Sequence, residues 1–428
     1  MFVTNNSTLV KNTSHTVVLP FYIYAALSFL VATVLLFIYS SAFTQHYFHP
    51  KTLAITHTMA LGWGTMIILG ASHQLVPVLI EGRLFSIALA HVSFVLAALG
   101  IPLLVFAFFQ FHLGWPAQWG GILINAAILS YLVNLAISIA KSKKENVHAV
   151  FVFTAALWLF ITTLVGLLLV YNFSYPFLAN DSLHYLSLHA HMGIAGWFLL
   201  LITGVGSRLI PLFLISKYDH PKLLWIIYFL INGGLLGFVF FFIFFPEISF
   251  YLLPLSATVL ALIFFGYYCH QCYKQRLRRQ VDEQVKISLL SVGMMLLPVI
   301  FLVIIIVFLL VSAVNTRLVL LYGFSIFFGW ITAIILGMTF KTLPFIVWNK
   351  VYHHRAGIGK TPSPKDMFSH KIFSAMGITY LGGFLLFGIG IYFSNIFLLK
   401  FATVFLLLTA LLYNWNVLKI VFHKPGKS

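Results

Sequence analysis

Charged residues and cysteines are both scarce in this chain of 428 residues. Asp, Glu, Lys and Arg together make up 8% of it, whereas soluble domains carry roughly a quarter. So few charges cannot solvate the surface of a soluble protein of this length, which excludes a soluble enzyme and a nucleic-acid-binding protein. The two cysteines, Cys269 and Cys272, form one C-H-Q-C motif. A lone motif of this kind is weak evidence for a zinc or thiol redox site.

Acidic residues are the rarest charged group, with eight Asp and Glu in the whole chain. All of them fall in loops or at the ends of apolar runs: Glu81, Glu145, Asp181, Asp219, Glu247, Asp282, Glu283 and Asp366. Proton-coupled transporters and pumps commonly use an acidic residue inside the membrane. The sequence therefore disfavours that class, but it leaves open a facilitator for a neutral solute.

Apolar residues are abundant, at 61% of the chain, and they form runs long enough to cross a bilayer. These runs predict an all-α polytopic membrane protein with twelve transmembrane helices. The predicted helices cover residues 17–43, 52–79, 84–112, 118–140, 147–171, 183–213, 222–245, 249–272, 287–312, 318–346, 368–393 and 396–421.

The basic residues indicate the orientation in the membrane. If the N-terminus is cytoplasmic, all of the 25 Lys and Arg residues except Lys51, Arg317 and Lys400 fall on the inner side. Cytoplasmic loops are enriched in Lys and Arg, so we expect an inner-membrane protein with both termini in the cytoplasm. The formal net charge of +17 is then explained by topology. The lipid bilayer is the expected partner, and nucleic acid is not.

One sequence pattern occurs three times. It begins at His57 (HTMALGWGTMIILGASHQLVPVL), at His191 (HMGIAGWFLLLITGVGSRLIPLF) and at Phe324 (FSIFFGWITAIILGMTFKTLPF). With the first residue taken as position zero, each copy has Gly-Trp at positions five and six, Gly at thirteen and Pro at twenty. We therefore predict a single transmembrane domain over 1–428, built from three four-helix units at about 17–140, 147–272 and 287–421. Close helix packing explains small residues and a proline kink, but not matched positions in three copies.

Histidines are the candidate ligands. His57 and His191 open the first two copies at a similar predicted depth in the membrane. Ionisable groups inside a membrane are functional candidates, and two imidazoles can hold one haem iron. The alternative is a pair of packing histidines hydrogen-bonded to their surroundings. His189 lies two residues before His191, so the two imidazoles point about 200° apart on a helix, and His189 would serve a neighbouring site.

Two further groups of residues are weaker candidates. His184 shares the face of His191 nearer the outer surface, where it could assist a metal or haem propionates together with His46 and His49. His73, His91 and Arg208 form a predicted inner polar cluster, which would either line a quinone-head or proton-entry pocket or play a structural role near the headgroups.

With these motifs, the chain resembles subunit I of the haem-copper oxidase superfamily, including the large subunit of nitric oxide reductases. The segment from His57 resembles the family's second helix, and H-A-H-M-G-I-A-G-W from His189 resembles its tenth. The resemblance implies a haem b held by His57 and His191, with His189 available to a second haem or a copper ion. The sequence has no c-type haem motif and no copper loop rich in Cys, so we expect electrons to enter from a quinol or another redox protein.

The chain departs from that family in specific ways. H-A-H lies on the sixth predicted helix, the tenth helix has Phe324 at the matching position, and the seventh helix has no ligand residues. The family's copper ligands therefore have no counterpart, and oxygen or nitric oxide reduction does not follow from the fold. Three hypotheses remain: a haem protein for electron transfer or for redox or gas sensing, a haem or copper transporter or assembly factor, and a structural subunit without cofactor. A terminal oxidase or nitric oxide reductase with a non-standard metal site, including His184 and His189, is the catalytic alternative.

Overall fold

The computed structural model describes residues 13–142, 146–311, 315–352 and 361–424. Within these ranges, twelve helices are long and apolar enough to cross a membrane, which confirms the predicted number of spans. We number them in chain order: α1 His15–Ile38, α2 Pro50–Leu79, α3 Ile87–Gln110, α4 Trp115–Ala140, α5 Val147–Ser174, α6 Leu186–Leu214, α7 Pro221–Phe244, α8 Ile248–Lys274, α9 Glu283–Leu310, α10 Thr316–Tyr352, α11 His370–Phe393 and α12 Ile396–Val421.

Most helix ends lie within a few residues of their predicted positions. The first helix ends at Ile38 rather than at residue 43, because the chain tightens into a 3-10 turn over Ser40–Thr44. His112 and His184, which the sequence assigned to the third and sixth spans, lie just beyond Gln110 and just before Leu186. Residues 353–360, which include Arg355 and Lys360 of the predicted inner side, lie outside the described residues.

The three helices that carry the repeated pattern lie at the centre of the bundle. Two thirds or more of the residues in the apolar segments of α2, α6 and α10 are buried, against less than half in every other span. Each central helix packs against the helix before it, α1 on α2, α5 on α6 and α9 on α10. The remaining helices pair as α3 with α4, α7 with α8 and α11 with α12. The same packing scheme thus occurs in each group of four helices.

Hydrogen bonds between buried Trp and Thr side chains join the central helices. The indole of Trp63 on α2 donates to Thr332 Oγ1 on α10, and the indole of Trp197 on α6 donates to Thr65 Oγ1 on α2, each over 3.1 Å. Both threonines occupy position eight of their copies of the pattern. The third copy has Trp330 on α10, but position eight of α6 is Leu199, which has no acceptor. Hydrogen bonds of this kind therefore join α2 to α10 and α6 to α2, and no matching bond joins α10 to α6 among the described contacts.

The contacts between neighbouring units are unequal. The last helix of the first unit, α4, packs along α5, and α12 packs in the same way along α1. The corresponding helices between the second and third units, α8 and α9, approach each other over a much shorter stretch. The bundle is therefore looser between α8 and α9 than at the other two junctions.

Candidate functional site

A cavity of about 740 Å³ lies among the central helices and extends to α3, α4, α5, α7, α8 and α9. No Asp, Glu, Lys or Arg is among the described residues that line it. His57, His189 and His191 are the only titratable nitrogen groups in that described lining. An apolar cavity with a few convergent polar groups is the usual form of a site for a small molecule or cofactor.

A local change in helix geometry follows the first residue of each repeated pattern. Turns of π-helix span Thr58–Thr65 after His57 and Met192–Leu199 after His191. The third, Ser325–Ile331 after Phe324, is interrupted by a kink at Gly329, with φ −91° and ψ −113°. Such turns are rare and occur frequently at functional sites, because they rotate the following residues relative to a regular α-helix. The structure therefore marks the same position in all three copies.

His57 and His189 face each other in the cavity. Their ring centroids are 6.4 Å apart and their planes are inclined by 16°. His57 Nδ1 lies 2.9 Å from the Leu53 carbonyl, and His189 Nδ1 lies 3.0 Å from the Thr162 carbonyl. A carbonyl oxygen only accepts, so each Nδ1 carries the proton and donates it. Each Nε2 is then left with a free lone pair, which is the state of a metal-binding imidazole.

The ring of His189 has room because residue 166 is glycine. A Cβ atom at Gly166 on α5 would lie 2.8 Å from His189 Cε1, which is closer than real contacts allow. Phe108 on α3 packs on the other imidazole, with its ring centroid 4.5 Å from that of His57. Helices α3 and α5 therefore fix the position of the two rings.

His191 has different neighbours from those the sequence led us to expect. Its Nδ1 donates to the Ser187 carbonyl over 2.7 Å. Its ring lies 5.1 Å from that of Phe238 and 5.8 Å from that of Tyr322. Among the described ring contacts, His57 is next to His189 and not next to His191. The two histidines of H-A-H thus take separate parts of the cavity.

The proposed outer metal group is not assembled in the described part of the chain. His184 is exposed, and its ring packs against Tyr185 and Phe242. The Nδ1 atoms of His46 and His49 accept hydrogen bonds from nearby backbone amides. No group of three or more His, Cys, Asp or Glu that could hold a metal ion occurs among the described residues. His184 and His189 therefore do not form such a cluster there.

The three residues of the predicted inner cluster differ in burial and surroundings. His73 is buried, its Nδ1 donates to the Leu69 carbonyl over 2.7 Å, and its ring packs between Phe21 and Tyr131. The space beside it is too small for a water molecule. His91 is only half-buried and Arg208 is exposed. These described positions support packing and interface roles rather than a pocket for a quinone head.

Two polar contacts were missed by the sequence analysis. His148, which the sequence analysis did not single out, is buried on α5, and its Nδ1 lies 3.1 Å from the Gly204 carbonyl and 3.0 Å from Ser207 Oγ on α6. Asp282, just before α9, binds Lys341 of α10, with Arg278 at 3.0 Å and Lys365 at 3.2 Å. Burial alone raises the pKa of Asp282, but the hydrogen bonds and charges of Lys341 and Lys365 outweigh it and lower that pKa below its ordinary value.

Cys269 and Cys272 are both buried and unbridged at the end of α8. Their position away from the cavity lining gives them no link to the three histidines.

No protein-family model matches the chain, and no curated protein matches it in sequence.

Proposed function

We propose that this protein is an integral membrane haem protein that binds haem b between His57 and His189 and acts in electron transfer or in redox or gas sensing. The observation that supports the proposal is the facing pair of imidazoles, with 6.4 Å between ring centroids, in an uncharged cavity of about 740 Å³. Both rings border this cavity, whereas a purely structural pair would need no open space beside it.

The spacing of the two rings fits one metal centre. Aromatic rings pack with centroids about 4.5–7 Å apart, and the 6.4 Å between these two rings lies in that range. The same separation accommodates a metal ion bonded at about 2 Å to each ring, and the adjoining cavity favours the metal-bound arrangement. The ring planes are inclined by only 16°. We therefore assign the pair to His57 and His189 rather than to His57 and His191.

The surrounding residues orient the ligands. The carbonyls of Leu53 and Thr162 hold the two Nδ1–H groups, which fixes each ring and leaves Nε2 for the metal. Gly166 leaves the space that the His189 ring needs. A bound haem supplies one-electron redox chemistry, and two imidazole ligands fill both axial positions of its iron.

The architecture supports a relation to the subunit I fold of haem-copper oxidases as a further part of the proposal. The support comes from twelve spans, three marked central helices and a repeated packing scheme. The charge distribution supports the cytoplasmic membrane with both termini inside. The histidine cavity then lies in the outer half of the bilayer, and a quinol or a redox protein is the proposed electron donor.

The test is a visible spectrum and a haemochrome assay on protein produced with ample haem. We expect a low-spin spectrum with two imidazole ligands, and its loss in His57→Ala and in His189→Ala. His73→Ala is the matched control, because it is also a buried α2 histidine bonded to the carbonyl four residues earlier. A colourless wild-type protein, or an unchanged spectrum in both ligand variants, would refute the proposal.

Retention of the haem separates this function from that of a carrier. A haem transporter or assembly factor would release its haem to an acceptor such as apomyoglobin, at less than one haem per chain. A resident electron-transfer haem remains bound during that exchange. Metal analysis of the same sample tests for copper.

A further inference from the structure

Cations outnumber the carboxylate in a cluster at one end of the bundle. Asp282, just before α9, binds Lys341 of α10, with Arg278 at 3.0 Å and Lys365 at 3.2 Å. We call these four residues the Asp282 cluster. The Lys365 side chain is 53% exposed and that of Arg278 is 29% exposed, against 13% for Asp282. The two more exposed cations therefore present positive charge that the single carboxylate does not neutralise.

The chain around the cluster is basic as well. Glu283, the next carboxylate, bonds to Ser374 Oγ over 3.4 Å and belongs to none of the described ion pairs of the cluster. The segment 274–286 contains five basic and two acidic residues: Lys274, Arg276, Arg278, Arg279 and Lys286, with Asp282 and Glu283.

The backbone holds Arg278 in place. The segment before α9 pairs with the end of α6 through a β-bridge between Ser216 and Arg276. The Arg278 amide donates to the Leu214 carbonyl over 3.4 Å. Lys341 is fixed by its position in the interior of α10. A site whose groups are already ordered loses less conformational entropy when a ligand binds.

The Asp282 cluster lies at the end of the looser junction between helices. Helix α8 ends at Lys274 and α9 begins at Glu283, and these two helices approach each other only briefly. A Cβ atom at Gly266 of α8 or at Gly293 of α9 would meet no atom within 4 Å. These glycines lie about 12 and 15 Å from those helix ends at 1.5 Å per residue, which is within one leaflet of a hydrocarbon core of about 30 Å. Open space one leaflet deep therefore adjoins the charge.

We propose that the Asp282 cluster and the adjoining halves of α8 and α9 bind an anionic phospholipid of the leaflet at that end, which is the cytoplasmic leaflet in the proposed orientation. Arg278 and Lys365 contact the phosphate, because cations of this kind form charge-assisted hydrogen bonds with its oxygens. One acyl chain lies along the open space at Gly266 and Gly293. The lipid thereby fills the junction between the second and third units. This site does not depend on the haem proposal.

Both parts of the site are needed to select this ligand. A soluble anion such as inorganic phosphate would use the charges but not the open space between the helices. Phosphatidylcholine would use the open space, but its choline group cancels the charge of its phosphate. An anionic phospholipid uses both, and basic pockets between transmembrane helices bind such headgroups.

The experiment measures lipid affinity and the unfolding midpoint of the purified full-length protein in a neutral detergent. Phosphatidylglycerol is titrated against phosphatidylcholine, and native mass spectrometry counts the bound lipids. We expect one retained phosphatidylglycerol per chain, bound about tenfold or more tightly than phosphatidylcholine. The unfolding midpoint should rise in its presence, because a ligand that binds only the folded state stabilises it.

Removal of the two exposed charges tests the headgroup part of the site. Arg278→Gln combined with Lys365→Gln should lower the affinity for phosphatidylglycerol about tenfold or more, with no change for phosphatidylcholine. Lys141→Gln combined with Lys419→Gln is the matched control, because it removes two exposed lysines at the ends of α4 and α12. This control should bind phosphatidylglycerol as the wild type does.

Gly293→Leu tests the acyl-chain part of the site. The new side chain occupies the open space on α9, so the affinity for phosphatidylglycerol should fall severalfold. Gly233→Leu on α7 is the matched control, because a Cβ atom there also meets no atom within 4 Å. It should leave the affinity unchanged.

Asp282→Asn separates lipid binding from a purely structural role. Asp282 competes with the phosphate for the same cations, so its neutralisation should raise the affinity for phosphatidylglycerol about fivefold. The same substitution removes ion pairs from the lipid-free protein. A cluster that served only to hold the segments together would lose lipid affinity along with stability.

The unfavourable outcomes are distinct. Equal affinities for the two phospholipids, or equal losses in the two double variants, would overturn the site. Full competition by inorganic phosphate, with no effect of Gly293→Leu, would assign the cluster to a soluble anion and also overturn it. Weaker binding by Asp282→Asn would contradict the competition. Colourless protein with an intact preference for phosphatidylglycerol would refute the haem proposal alone.

Discussion

The histidines of this protein differ in the surroundings of Nε2, the ring nitrogen that the hydrogen bond of Nδ1 leaves unbonded. In His57, His189 and His191 the carbonyl partner occupies Nδ1, and the ring borders the cavity. In His73 the same bond is present, but the ring lies in close-packed surroundings, and its Nε2 has no partner among the described residues. In His148 the ring joins α5 to α6. Open space beside Nε2, rather than residue type, therefore separates candidate ligands from packing histidines.

Gly166→Ala should weaken haem binding without removing any ligand. The added Cβ would lie 2.8 Å from His189 Cε1 and 3.3 Å from Nδ1, so the imidazole must move away from the Thr162 carbonyl. Changes in the groups that orient a metal ligand typically lower metal affinity 10–100-fold. We expect a loss of haem affinity of about tenfold or more, measured by haem titration of the apoprotein.

Gly233→Ala on α7 is the matched control, because a Cβ there would meet no atom within 4 Å. Both substitutions raise helix propensity by about 1 kcal/mol relative to glycine. Any difference in haem affinity between them therefore reports the contact with His189. Equal affinities would contradict the role assigned to Gly166.

At the scale of helices, the positions of the spans could be predicted from the sequence, but the histidine that faces His57 could not. Apolar runs located all twelve spans, because length and hydropathy are local properties of the sequence. The partner of His57 depends on the relative rotation of α2 and α6, and the π turn after each leading residue alters that rotation. Matching depth alone suggested His191, whereas the ring that faces His57 is that of His189.

The repeated pattern carried more structural information than its glycines and prolines first suggested. Its Trp at position six and the residue at position eight form the links between central helices, as in Trp197 to Thr65. The sequence showed the matched Trp residues, but the threonine partners come from other copies and therefore needed the structure. His148 was missed for a similar reason, because its partner Gly204 lies on another helix.

Thr65→Val should destabilise the bundle by about 1 kcal/mol. Valine keeps nearly the same shape but leaves the buried Trp197 indole without its acceptor, which costs about 1–3 kcal/mol in water-soluble proteins. Interhelical hydrogen bonds in membranes average nearer 0.6 kcal/mol, so the low end applies. The measurement is reversible unfolding of haem-free protein in mixed micelles.

Thr403→Val on α12 is the control for that measurement. Thr403 is also buried, but among the described contacts its hydroxyl bonds only to the Lys400 carbonyl in the same helix. The Thr403→Val protein should therefore have a free energy of unfolding close to that of the wild type. If Thr403→Val lost as much stability as Thr65→Val, the loss would reflect removal of a hydroxyl in general and not the link between α6 and α2.

In the described part of the bundle, the three junctions between the predicted four-helix units differ from one another. Between the first and second units two imidazoles face each other, between the second and third an imidazole faces a phenol, and between the third and first Phe324 fills the space. The looser packing of α8 against α9 occurs at the middle junction. The same repeated framework thus contains a junction with two facing imidazoles, a junction with an imidazole facing a phenol, and a junction filled by aromatic rings.

Asp282 links several parts of the molecule at the predicted cytoplasmic end, away from the histidine cavity. It joins Arg278 in the segment before α9, Lys341 in α10 and Lys365 in the segment before α11. Lys341 and Lys365 outweigh the effect of burial and hold the pKa of the Asp282 carboxyl below its ordinary value of 3.8. The folded protein therefore binds this proton less readily than the unfolded chain does.

Asp282→Asn should lower stability near pH 7 and lose its effect in acid. A carboxyl with a depressed folded-state pKa stabilises the fold above its unfolded pKa, and that contribution fades as pH falls through the folded value. Partly exposed ion pairs contribute about 1 kcal/mol or less, so we expect a difference of that size at pH 7. The unfolding midpoints of the two proteins should converge as the pH is lowered below 3.8, the ordinary pKa of the group.

Asp366→Asn, at a carboxyl that bonds only to the Ser363 amide among the described contacts, should show little difference at pH 7. A stability difference for Asp282→Asn that stayed constant from neutral pH into acid would show that the Asp282 cluster acts through packing and not through charge.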